Sequence, residues 1–145
     1  MDGRNFKIRT LIYEKKCKTK KETLLMTHGY ALSSAFFFKI IKQLGEHFRL
    51  VLIDNASWGL NTRVKDCSKH LKSPEASERY CLTWWENMID ALGGDLPQKF
   101  HLSGHSAGGY QSMLYASQHP ERITSLFLQS PACSEPLDEK YDPYT

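Results

Sequence analysis

The sequence predicts an α/β fold in which a mostly parallel sheet carries helices on both faces. Three observations predict it: short apolar runs that do not alternate with polar residues, helical apolar spacing between those runs, and one glycine-rich corner where a strand turns into a helix. The 145 residues, 41% hydrophobic and 24% charged, suit a single core. Residues 1–130 are read as one unit and 131–145, with three prolines, as a tail.

Residues 6–13 alternate loosely between apolar and polar, and 23–27 form a continuous apolar run, so two strands are expected, the second buried and the first nearer an edge. Lys15, Lys16, Lys18, Lys20 and Lys21 lie between them. They are read as the solvated bend of a hairpin rather than as a patch for phosphate or lipid headgroups. Ser33 and Ser34 can cap a helix whose apolar face is Phe36, Phe37, Ile40, Ile41 and Leu44, weakened at Gly45. A strand over 50–53, ending at Asp54, completes a β-α-β unit, which calls for a parallel pair.

Residues 55–73 lack periodicity and are expected to form the longest loop. Ser73 then offers a cap, Pro74 suits the first helical position, and Glu75 complements the positive end of a helix. Its apolar face is Cys81, Trp84, Trp85, Met88 and Leu92, with Gly93 and Gly94 as the stop. One tryptophan is expected in the core and the other at its rim. A strand over 99–103, a helix from Ala107 to about His119 ended by Pro120, and a strand over 123–129 form a second β-α-β unit.

Nineteen basic and sixteen acidic side chains leave a formal charge of +3, and the sequence carries no nucleic-acid-binding module. Cys17, Cys67, Cys81 and Cys133 are scattered, without ligand spacing, so neither a disulfide scaffold nor a metal or other cofactor is expected. No apolar run approaches the roughly 18 residues that cross a bilayer, and the first residues lack the hydrophobic segment of a secretory signal. A cytoplasmic protein is therefore expected, with any membrane or lipid-droplet contact peripheral; oligomeric state is not legible. Asn55-Ala56-Ser57 matches a glycosylation sequon by chance.

The chemistry concentrates at Gly104-His105-Ser106-Ala107-Gly108, a G-x-S-x-G pattern placed between a buried strand and a helix. Ser106 must occupy a tight bend that lifts its hydroxyl above the sheet, and small neighbours are needed because the chain nearly touches itself there. Gly104 and Gly108 meet that need, and Gly109 brings the helix closer still. The helix start offers its unpaired N–H groups, so the Ala107 N–H can stabilise an oxyanion formed by attack on a carbonyl. His28-Gly29-Tyr30 follows the earlier buried strand and can supply a second donor, the Tyr30 N–H, with Gly29 permitting close approach and His28 bracing the loop. His105 is read as structural, its ring turned away from the Ser106 hydroxyl. His47, His70, His101 and His119 need no catalytic explanation.

These residues resemble the α/β-hydrolase fold family, more closely its branch of abhydrolase domain proteins 4 and 5. The likeness rests on residues 27–30, 54–61, 83–88, 102–110 and 119–123, so almost the whole chain falls on the first part of that fold. It implies a serine nucleophile at Ser106, oxyanion donors at Tyr30 and Ala107, and action on an ester, amide or thioester. The branch implies lipid or N-acyl phospholipid substrates, with members that bind lipid-droplet proteins or are assigned lysophosphatidic acid acyltransferase activity. By the same likeness, residues 131–145 begin a lid or cap.

Ser57 and Asn61 stand where the family's loop after Asp54 carries a glycine and a serine. The family's catalytic acid and histidine are expected beyond residue 145. After Ser106 only His119 is present, about 20 Å along the helix axis. Asp138 and Asp142 lie in the tail. The expected function is that of a serine hydrolase of a carboxylic ester or amide, lipid or non-lipid, represented here by part of its domain. The alternatives are an inactive truncated homologue that binds lipid or protein, and a lysophosphatidic acid acyltransferase-like protein.

Overall fold

The structure is a computed structural model that describes residues 6–16, 18–64 and 72–132. Five strands, β1 (Thr10–Tyr13), β2 (Thr23–Thr27), β3 (Arg49–Ile53), β4 (Phe100–His105) and β5 (Ile123–Gln129), form one sheet in the order β1-β3-β2-β4-β5. The central strands β2 and β3 are parallel, with Leu25 opposite Val51 and Thr27 opposite Ile53. β4 runs parallel to both β2 and β5, so β2, β3 and β4 all end at the same edge of the sheet.

β1 is antiparallel to β3, not to β2. The lysine-rich segment is therefore not the bend of a hairpin, because β3 lies between the two strands it joins. The connection passes over one end of β3, and two of its lysines are held there. Lys15 pairs with Glu46 at 2.6 Å, and the Lys21 ammonium donates to the carbonyl of Gly45 just past a helix end, where the backbone is electronegative.

Both faces of the sheet are covered. On one, α2 (Pro74–Leu92) and α3 (Ala107–Gln118) close a core of Leu25, Val51, Ile53, Trp85, Met88, Phe100 and Leu102. α2 begins as its residues predict, with the Ser73 hydroxyl accepting from the Ala76 N–H at 3.2 Å and Pro74 in the first turn. Both tryptophans are core residues, Trp84 5% and Trp85 1% exposed, which corrects the expectation of one at the rim. α2 lies beside α3 over the same core, and both rings are enclosed there. Trp85 lies 5.5 Å from the Tyr115 ring and donates to Gln111, while Trp84 meets Phe6 edge-on.

On the other face the expected helix is broken into a 3-10 turn (Ser34–Phe37) and the short α1 (Ile41–Leu44). Ser33 makes no side-chain cap; instead the Ser34 N–H donates to the Asp54 carboxylate at 2.6 Å. That anchor, with burial of Phe37, fixes the first turn separately from the second. The apolar spacing still serves one face: Phe37, Ile40, Ile41 and Leu44 pack on Leu24, Met26, Leu50 and Leu52. Phe36 and Phe38 are left exposed.

Asn55 is buried, with its amide spent on His28 and Thr27, so the sequon cannot accept a glycan in the folded chain. Among the described residues no helix is long and apolar enough to cross a membrane. Cys17, Cys67, Cys133, His70, Asp138, Asp142 and most of the tail lie outside the described residues. Replacing Trp85 with alanine removes a ring that is 1% exposed. It is expected to cost about 3–5 kcal/mol in a urea titration.

Candidate active site

Ser106 joins β4 to α3 with φ 52° and ψ −120°, a left-handed backbone that a residue with a side chain adopts only when its surroundings hold it there. The surroundings do so through three hydrogen bonds. Its N–H donates to the Gln129 carbonyl at 2.9 Å, and its carbonyl accepts from Tyr110 and Ala132 at 3.1 and 3.0 Å. The bend is thus clamped between the start of α3 and the end of β5.

The glycines around it are required by contact. A Cβ on Gly104 would strike the Gly108 carbonyl and lie 2.5 Å from the Ser112 hydroxyl. One on Gly108 would strike the His28 carbonyl, and one on Gly109 would come within 3.0 Å of Gly104 and Pro131. One on Gly29 would sit 2.9 Å from the His105 ring and 3.1 Å from the Ser106 Cβ. The loop after β2 therefore lies directly against the serine corner, which places Tyr30, the next residue, beside Ser106. Ala31, with φ 59°, puts a second left-handed residue at this end of the sheet. Ala107 opens α3, so its N–H has no acceptor within the helix and lies at the positive end of the helix dipole.

His28 is fully buried and its ring nitrogens are both engaged. The Asn55 N–H donates to Nε2 at 3.0 Å, which leaves the proton on Nδ1, 2.7 Å from the Gly29 carbonyl. Burial pushes its pKa below the ordinary histidine value, against the opposing pull of the Gly29 carbonyl and of Asp54. The 4.0 Å approach of Nε2 to Asp54 is accordingly a contact of a neutral ring, not an ion pair. His28 braces the loop; it is not placed to take the serine proton.

Asp54 and Asn61 organise the site from behind, and sequence reasoning assigned neither that role. The Asp54 carboxylate accepts from the Ser34 and Leu60 N–H groups at 2.6 and 2.9 Å. Burial would raise its pKa, but these two donors outweigh burial and hold it below the usual carboxylate value. A Cβ on Gly59 would strike this carboxylate, so a glycine five residues after an aspartate that ends a buried strand was the available signal. Asn61 donates to the carbonyls of Asp54 and Asn55 and accepts from Arg9, tying the loop to the chain entering β1. Ser57 takes φ 61° without being glycine, and its hydroxyl accepts from Val64 at 2.9 Å.

His105, His119 and His101 make their contacts with other groups. His105 stacks on Phe36 at 4.9 Å, and its Nδ1 is buried without a hydrogen-bond partner among the described residues. His119 reaches Glu86 at 3.0 Å. His101 bridges Ser125 at 2.7 Å and Glu22 at 3.0 Å, beside a cavity of about 510 Å³ lined by Met26, Leu44, Phe48 and Phe127. Neither Ser106 nor Tyr30 lines that cavity. Among the described residues no group of three or more His, Cys, Asp or Glu side chains is arranged to hold a metal ion.

Comparison with known proteins places this geometry. The sequence profile described as alpha/beta hydrolase fold matches residues 22–143. A rice (Oryza sativa subsp. japonica) protein named "Probable 1-acylglycerol-3-phosphate O-acyltransferase" is 38% identical over 76% of this chain and 25% of its own length. A pimeloyl-[acyl-carrier protein] methyl ester esterase of Aeromonas salmonicida is 33% identical over 80% of this chain and 41% of its own. Among solved structures, a bacterial membrane phospholipase A superposes with a TM-score of 0.75 at 26% identity, covering 93% of this chain and 39% of that one. The chain thus spans about a quarter to two fifths of the length of these relatives.

Two outcomes follow from the close packing and the buried imidazole. Gly108→Ala drives a Cβ into the His28 carbonyl. It is expected to cost about 1–3 kcal/mol in denaturant unfolding. Gly94→Ala, which meets nothing within 4 Å, is the control. It should change stability by less than about 0.5 kcal/mol. For His28 the unfolded chain titrates near 6.5 and the folded chain lower, so its contribution is complete above pH 6.5 and is lost as pH falls toward the folded value. Stability is expected to decline below pH 6.5 with a slope that His28→Asn makes shallower; an unchanged slope would rule out a buried neutral His28.

Proposed function

The chain belongs to the α/β-hydrolase fold family, and from that premise we propose that Ser106 is the nucleophile of an enzyme that cleaves or transfers the acyl group of a carboxylic ester, with a lipid as the substrate class. The observation that carries this reading is the left-handed Ser106, clamped between α3 and β5 with the His28-Gly29-Tyr30 loop pressed against it. The esterase, phospholipase and acyltransferase names of the relatives support an ester substrate.

In this reading the Ser106 oxygen attacks the ester carbonyl carbon, and the carbonyl oxygen becomes an oxyanion facing the N–H groups of Tyr30 and Ala107. Loss of one such donor typically lowers the rate about 100- to 1,000-fold. The C–O bond to the alcohol then breaks, the alcohol leaves with a proton, and the acyl group stays on Ser106. A histidine must take the serine proton and pass it to the leaving alcohol, and an acid must orient that histidine. The family resemblance assigns both to chain that follows β5.

A second reading shares the first half-reaction. The likeness to the rice acyltransferase supports an acyl-enzyme discharged by the hydroxyl of a lysophosphatidic acid rather than by water. The two differ only in the acceptor, and product analysis with and without added lysophosphatidic acid separates them.

The shared step is tested with a fluorophosphonate probe applied to the full gene product containing these residues. Labelling at Ser106 that disappears in Ser106→Ala is the expected result. Labelling that survives the substitution, or maps to Ser125, would reject Ser106 as the nucleophile.

A further inference from the structure

Tyr30, Phe38 and Leu60 are 71%, 69% and 69% exposed, and Phe36 is 45% exposed. Scattered exposed apolar residues are ordinary, but a cluster of large ones marks an interaction surface. These belong to the two loops that leave β2 and β3, at the sheet end where Ser106 sits.

The structure ties them together. The Asp54 carboxylate binds Ser34, which begins the turn bearing Phe36, and Leu60 through their backbones. Tyr30 meets Trp58 edge-on at 4.5 Å, and Phe36 stacks on His105, the neighbour of Ser106. Packing that fixes the loops thus leaves Tyr30, Phe36, Phe38 and Leu60 exposed along the two loops, which form a rim at this end of the sheet.

Cations are built into the same rim. The Lys39 ammonium lies 5.8 Å from the Phe38 ring centroid. The Arg63 guanidinium donates to the Ser57 and Gly59 carbonyls, on either side of Trp58. Among the described residues of these loops the carboxylate, Asp54, is buried and already holds two N–H groups. The acidic Glu78, bound by the Tyr110 hydroxyl, stands across the corner on α2.

We propose that this rim docks on the surface of an anionic phospholipid bilayer, a proposal that rests on the reading of Ser106 as an acyl-accepting nucleophile and names where its substrate comes from. Tyr and Trp rings favour the headgroup region, Phe and Leu side chains enter the acyl boundary, and Lys and Arg meet anionic headgroups. A protein partner would use the apolar residues equally well, but the combination of amphipathic rings and flanking cations beside an ester-cleaving serine is the chemistry of a lipid surface. Docking in this pose brings the Ser106 end of the sheet to the membrane, so an acyl ester need leave the bilayer only partly to be attacked.

The test is co-sedimentation of the full gene product containing these residues with vesicles of phosphatidylcholine alone and of phosphatidylcholine with phosphatidylserine. Binding is expected to be stronger to the anionic vesicles and to weaken with salt. Phe38→Ala with Leu60→Ala should lower affinity about tenfold or more. Lys39→Glu with Arg63→Glu should abolish the preference for phosphatidylserine. Circular dichroism and the thermal midpoint confirm that each variant folds. Equal recovery in the supernatant with and without vesicles, or binding indifferent to the Phe38/Leu60 pair, would overturn the proposal. So would a dimer that the same pair dissociates, since the rim would then belong to a second copy. Fluorophosphonate labelling without vesicles reports on Ser106 alone: labelling without docking removes only the lipid surface, and docking without labelling removes only the nucleophile.

Discussion

The Ser106 end of the sheet depends on the near-contact of backbones at Gly29, Gly104 and Gly108. β2 and β4 are neighbours in the sheet, with Thr27 opposite Gly104, so the loops that leave them emerge side by side. A side chain at any of the three positions would force them apart, because the atoms met are a carbonyl oxygen, a helix backbone or the Ser106 Cβ itself. The spacing that these glycines permit brings the residue after Gly29 next to Ser106. An oxyanion site of two N–H groups from different loops is possible only at that spacing.

A buried polar network then gives the loops one arrangement. Thr27, His28, Asp54, Asn55 and Asn61 are each 5% exposed or less, and their polar atoms are paired across three chain segments. Burial of such groups is costly unless they are satisfied, so the network discriminates strongly against any other path of these loops. Its acid sensitivity follows from the same burial. His28 must stay neutral and Asp54 ionised, and protonation of either removes part of the frame.

Legibility in the sequence followed the range of the interactions. β2, β3, β4 and α2 could be read because their signals are local: apolar runs, the Ser73-Pro74-Glu75 start, the Gly93 stop. The Ser106 bend could be read because steric crowding within five residues demands glycine. The hairpin was misread because nothing within residues 6–27 reveals that β3 will insert between β1 and β2. The first helix was misread for a similar reason, since its break depends on Asp54, twenty residues away. Asn61 escaped notice because its three partners, Arg9, Asp54 and Asn55, converge only in the folded chain.

The chain also contains a comparison that isolates what makes a serine reactive. Ser125, His101 and Glu22 form a hydrogen-bonded relay of the kind that activates a hydroxyl. Yet Ser125 lies within the edge strand β5, opposite His101 of β4, and not at a helix start. Ser106 has the opposite endowment: a helix N-terminus, a second loop in contact, and a strained bend, with His28, His101 and His119 engaged elsewhere. A relay raises the basicity of the oxygen but does nothing for the charge that develops on the carbonyl, and that stabilisation is usually the larger effect. It also demands backbone geometry that a later side chain cannot create, whereas a histidine can be delivered by any loop that reaches the corner. The fold therefore places its strained backbone at Ser106, and that supports Ser106 rather than Ser125 as the proposed nucleophile.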